Sequence, residues 1–104
     1  MEGVEKTKTF SELISSDKPV LVDFSAGWCG PCQMMEPILE ELKRRMGDKL
    51  SVIKVDIDKS PLVASSFNVQ GVPTLILFRN KEVKWRQSGL LATNYLEQII
   101  NQHL

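Results

Sequence analysis

Seven residues, Pro19 to Ser25 (PVLVDFS), form a near-continuous apolar run of strand length. A run with no polar side reads as a strand buried on both faces, which requires covering layers above and below it. A helix is predicted directly after it, from about Pro31 to Met46. Cys32, Met35, Leu39, Leu42 and Met46 recur there at spacings of three and four and make one apolar stripe. Gln33, Glu36, Glu40 and Lys43 fall on its polar side. Gly47 ends the helix as a C-terminal cap. A buried strand feeding an amphipathic helix is the repeating unit of α/β proteins.

The rest of the chain continues that alternation. Thr9 to Glu12 (TFSE) fits a capping box and starts a short helix running to about Ile14. Val4 to Thr7, just before it, is read as a weak edge strand. Leu50 to Ile57 (LSVIKVDI) is a second strand rich in branched residues. Ser60 and Pro61 open a further helix as N-cap and first helical residue, and Asn68 closes it. Pro73 to Arg79 is a strand, Asn80–Lys81 a tight turn, and Glu82 to Gly89 the returning strand of an antiparallel hairpin. Thr93 to about Gln102 forms the last helix, with Leu96, Ile99 and Ile100 facing inward. The expected order is βαβαβαββα: an α/β fold with a central mixed sheet and helices on both faces.

One domain spanning residues 1–104 suits this length. With 13 Lys plus Arg against 13 Asp plus Glu, formal net charge is zero, and a nucleic-acid partner would need a basic bias. There is no apolar run long enough for a membrane span, and the N-terminus lacks the apolar core of a secretory signal. Both point to a cytoplasmic chain.

Both cysteines, Cys29 and Cys32, lie in SAGWCGPCQ at the strand-to-helix junction. Helix residues three apart place their Cβ atoms ~5–6 Å apart, and a disulfide needs ~3.5–4.5 Å. A small adjustment in the first turn therefore makes or breaks the bond. A disulfide closing so short a loop adds little stability. Zinc needs about four ligands, and the other soft ligand in view, His103, stands at a fraying helix end. A working redox couple is the reading that remains. Its sulfurs are inequivalent. Cys29 falls at the helix start, where free N–H groups and the positive helix end favour a thiolate; Pro31 fits that first turn, since its missing N–H costs nothing there. Cys32 is on the buried stripe, so it stays a thiol until deprotonated locally. Cys29, outside, attacks a substrate disulfide, and Cys32 then attacks Cys29 and releases the reduced product.

VDFSAGWCGPCQMMEPILEEL, VPTLILF and the later SGL together resemble the thioredoxin family over nearly the whole chain. The resemblance implies a dithiol–disulfide oxidoreductase that reduces protein disulfides. It also implies regeneration by a flavin-containing, NADPH-dependent thioredoxin reductase. The chain has no nucleotide-binding motif and is expected to carry no cofactor, to touch neither nucleic acid nor membrane, and to act as a monomer. Two other uses of such a fold stay open: a binding or scaffold subunit of a larger assembly, and an oxidase or isomerase.

Further residues are weighed beside that family. Asp23 stands within the buried strand. Either it turns out to solvent, or burial raises its pKa and it takes the proton of Cys32; the family carries a buried aspartate here, which favours the second. Lys54, by alternation on the face of Leu50, Val52 and Asp56, reads as solvated from the sequence alone. The family's lysine at the matching position makes it an auxiliary to Asp23. Pro73 reads as an ordinary turn proline with a trans bond, whereas GVPT resembles the family's cis-proline loop, exposing the Val72 backbone to an extended substrate. Trp28 abuts a helix start that must stay accessible. With Gly30, Pro31, Val72, Pro73, Gly89 and Leu90 it is expected to form a flat apolar contact patch. Ser25, where the family often has an aromatic residue, and Gln33, where Lys or Arg is common, depart from the pattern, as does Lys81 in place of a turn glycine.

Overall fold

The computed structural model describes residues 2–3 and 9–104. The strand expected at Val4 to Thr7 lies outside the described residues. The elements are β1 (Glu2–Gly3), α1 (Phe10–Leu13), β2 (Val20–Ser25), α2 (Gly30–Met46), β3 (Ser51–Asp56), α3 (Pro61–Ser66), β4 (Thr74–Arg79), β5 (Glu82–Ser88) and α4 (Thr93–Asn101). The order is βαβαβαββα, as the sequence predicts. They build one five-stranded sheet, β1-β3-β2-β4-β5. The strands β1, β3 and β2 run parallel; β4 is antiparallel to β2, and β5, antiparallel to β4, runs in the direction of β2.

The apolar run of Pro19 to Ser25 becomes β2, the middle strand, and every one of its residues is buried. Alternation divides its side chains between two cores. Leu21 joins Val52, Leu75 and Leu77 of the sheet under Met35, Leu39, Leu42 and Met46 of α2 and Leu96 and Ile100 of α4. Val20, Val22 and Phe24 join Ile53, Val55, Ile76 and Phe78 on the other face, against Phe10, Leu13, Val63 and Phe67 of α1, α3 and their flanks. Phe78 lies edge-on to Phe10 and Phe67, with ring centroids 5.9 and 5.1 Å away, the geometry that ring quadrupoles favour.

The caps follow the sequence. Thr9 Oγ1 accepts the Glu12 N–H and starts α1, and Gly47, at φ +55°, ends α2. Asn68, at φ +54°, follows α3. Ser60 holds the N-cap position of α3 without a side-chain cap hydrogen bond. Asn80 and Lys81 both take positive φ, the conformation that a two-residue hairpin turn requires. Their amides donate to the carbonyls of Ser16 and Ile14, which pins the hairpin tip to the end of α1. No helix among the described residues is long and apolar enough to cross a membrane.

Candidate active site

The centre of the site is where β2 hands over to α2, at the carboxyl end of a strand parallel to its neighbour β3, the usual location in open α/β sheets. Cys29 is the N-cap of α2, with extended backbone, and its Sγ accepts the Cys32 N–H at 3.1 Å. Pro31 occupies the first turn. The two sulfurs are bonded to each other, with Cα atoms 5.3 Å apart. A sulfur at this position faces the free amides of a 17-residue helix, which stabilise a thiolate once the bond is reduced.

The expectation that Cys29 stands outside needs correction. Cys29 is 4% and Cys32 3% exposed, so both are buried in the closed disulfide. Their difference lies in their surroundings. Cys29 is flanked by exposed Trp28, Gly30 and Pro31, and its Sγ lies 3.7 Å from the Val72 carbonyl oxygen. Cys32 borders a cleft of about 410 Å³ on the other side, lined also by Ser25, Gln33, Glu36, Lys54 and Asp56.

The Val72–Pro73 bond is cis, as the resemblance implies. Pro73 is buried, which corrects its place in the expected surface patch; Val72 and Leu90 carry that rim instead. Gly89, at φ +100°, donates its N–H to the Pro73 carbonyl at 2.9 Å, tying the Gly89–Leu90 turn to the proline loop. Trp28 is 71% and Leu90 46% exposed, so the disulfide is ringed by accessible apolar groups. The indole N–H of Trp28 donates to Asp58 Oδ2 at 2.9 Å.

Asp23 does not turn to solvent. It is fully buried, on the face of β2 that α2 covers, and neither carboxyl oxygen has a hydrogen-bond partner. Burial pushes its carboxyl up from an ordinary 3.8 to about 6; the Lys54 charge opposes this and the Glu36 charge adds to it. Lys54 is its register partner on β3, but the lysine ammonium is hydrogen-bonded to Glu36 Oε1 on α2. The sequence reading named Lys54 and placed Glu36 on the polar side of α2, missing their pairing. Glu36 lies one helical turn beyond Cys32, which brings it over the end of β3. The Trp28 tie to Asp58 was also missed, since 30 residues separate the two. Among the described residues, no group of three or more His, Cys, Asp or Glu side chains is placed to hold a metal ion.

A mixed sheet covered on both faces, with a closed Cys-X-X-Cys pair at the start of its long central helix, defines an α/β protein of the dithiol–disulfide class. The thioredoxin family model matches residues 3–102, and the chain belongs to the thioredoxin family. It is 41% identical to the thioredoxin of Bacillus subtilis over 104 residues, covering 100% of both chains. It is 42% identical to that of Rickettsia prowazekii over 94 residues, 90% of each. With the chloroplastic thioredoxin Y of Oryza sativa subsp. japonica, identity is 45% over 97 residues, or 92% of this chain and 58% of that protein. The chain thus spans less than two thirds of the plant relative's length. A solved structure of a mutant thioredoxin from Halobacterium salinarum NRC-1 superposes with a TM-score of 0.86 at 37% identity, covering 97% of this chain and 88% of that one.

Proposed function

We propose that this protein is a protein-disulfide reductase working by thiol–disulfide exchange. The observation that carries the reading is the Cys29–Cys32 disulfide at the N-terminus of α2, on the covered side of which lies an unpartnered buried carboxyl, Asp23. In the reduced protein the Cys29 thiolate attacks one sulfur of a substrate disulfide. A Cys29–substrate bond forms, and the substrate's other sulfur leaves as a thiolate. Cys32 then gives its proton to Asp23 and attacks Cys29. The mixed disulfide breaks, the second substrate sulfur leaves with its electron pair, and Cys29–Cys32 is restored oxidised.

The neighbours serve these two exchanges. Asp23, held near 6 by burial, is a base matched to neutral pH. Lys54 is its auxiliary charge. Pro73 fixes the loop that presents the Val72 backbone beside Cys29 to an extended substrate segment. Trp28, Gly30, Pro31, Val72, Gly89 and Leu90 form the rim against which a protein substrate docks. Electrons come from an NADPH-dependent thioredoxin reductase, and the protein works as a cytoplasmic monomer.

The test is reduction of a model protein disulfide in the presence of thioredoxin reductase and NADPH. The wild type is expected to turn over and the Cys29→Ser and Cys32→Ser variants are not. Absence of turnover by the wild type would overturn the reading. A scaffold subunit would keep its binding partner after both cysteines are replaced by Ser.

A further inference from the structure

Lys54 is the residue opposite Asp23 in the β2–β3 register. Strands so paired lie ~4.8 Å apart, so a lysine stem is long enough to bring its ammonium onto a neighbouring carboxylate. Burying an unpaired carboxylate is costly, and that pairing would relieve the cost. The structure has the other arrangement. The ammonium goes to Glu36 Oε1 across the cleft, and both oxygens of Asp23 are left without a partner.

We propose that Glu36 is a positioning residue: it holds the Lys54 ammonium at the mouth of the cleft beside Cys32 and so withholds it from the buried carboxyl of Asp23. The inference rests on the reading of Asp23 as proton acceptor for Cys32, and assigns to Glu36 the control of that acceptor. The side chains of Lys54 and Glu36 are 37% and 43% exposed, so their pairing contributes little to stability. Its consequence lies in where the charge is placed.

The charges around Asp23 are few. From β3 its register partner is Lys54, with Asp56 two residues further along that strand; from α2 the charge that acts on it is Glu36. From β4 its register neighbour is Leu75, which has no charge. Of the two that act most on it, Lys54 favours the ionised carboxylate more than Glu36 disfavours it. Removing the Glu36 charge frees Lys54 to turn to Asp23, and both changes favour ionisation. Removing the two charges together deletes the larger and the smaller influence at once, so the midpoint returns to the wild-type value or above it.

Titration of the Asp23 carboxyl by carbon-13 NMR in the full-length oxidised protein tests this. In Glu36→Gln the midpoint is expected to fall by about one pH unit. In the double variant Glu36→Gln with Lys54→Met it is expected at or above that of the wild type. An unchanged midpoint in Glu36→Gln overturns the proposal, as does a midpoint that stays low in the double variant. The pH profile of substrate reduction is expected to move down with the midpoint in Glu36→Gln. The reading on which the inference rests is tested separately: identical pH profiles for wild type and Asp23→Ala would remove Asp23 from the reaction, whatever its midpoint does in Glu36→Gln.

Discussion

The indole N–H of Trp28 and the carboxylate of Asp58 form a 2.9 Å hydrogen bond across 30 residues of sequence. It ties the loop before Cys29 to the turn after β3, and so fixes a side chain that is 71% exposed. An exposed tryptophan contributes little burial energy to the fold, so the bond serves mainly to orient the ring. Asp58→Ala is expected to leave the melting temperature nearly unchanged and to alter Trp28 fluorescence. Ordering the freed ring at each encounter then costs about 1 kcal/mol, which predicts about a five-fold lower kcat/KM for a protein disulfide. Steady-state kinetics beside thermal unfolding check both parts.

The buried carboxyl of Asp23 makes stability depend on pH. Its value rises from 3.8 to about 6 on folding, chiefly through burial. Between those values the folded state holds a proton that the unfolded state has lost, so stability falls as pH rises through the window. Below the unfolded value both states are protonated and nothing is lost; well above the folded value the full cost remains. The shift of about two units corresponds to about 3 kcal/mol. Asp23→Ala removes this dependence, so the stability of the variant relative to oxidised wild type is expected to grow by that amount from pH 3 to pH 8. Urea unfolding at a series of pH values measures the difference; a constant gap would contradict it.

Ser25 places a buried hydroxyl, without a hydrogen-bond partner, at the end of β2. Removing a polar atom that has no partner relieves its desolvation cost, so Ser25→Ala is expected to stabilise the protein by about 1 kcal/mol. Denaturant midpoints at an unchanged slope would register the gain. A loss of comparable size would show that the hydroxyl has an uncounted partner.

Gly89 holds φ +100° while its N–H binds the Pro73 carbonyl. An added Cβ meets no atom within 4 Å, so a substitution there is opposed by backbone conformation alone. Gly89→Ala is expected to cost about 1–2 kcal/mol and to displace Leu90 from the substrate rim. KM for a protein disulfide rises, while reduction of a small aromatic disulfide, which needs no rim, keeps its rate. Comparing the two substrates separates these effects.

What the sequence made legible follows from period. The stripe of Cys32, Met35, Leu39, Leu42 and Met46 located the buried face of α2 residue for residue, and the unbroken run in β2 required layers on both sides. Period says which face is covered, but not which side chain on another element lies opposite. Glu36 was therefore placed on the polar side of α2, yet it reaches Lys54 across the cleft. The burial of Cys29 escaped for a similar reason: its place at the helix start was readable, whereas the approach of Val72 from 43 residues away was not. The cis bond at Pro73 came from family resemblance, since local sequence favours trans.

The reaction depends on a division of labour between the two sulfurs, which mass spectrometry of trapped intermediates reads out. Reduced Cys32→Ser and Cys29→Ser variants are each mixed with a disulfide-bonded protein substrate, and the adducts are mapped. A persistent mixed disulfide is expected on Cys29 in Cys32→Ser, and little or no adduct in Cys29→Ser, where the remaining thiol is buried on the stripe that α2 turns to the core. A dominant adduct on Cys32, with Cys29 unreactive in the complementary variant, would contradict that division.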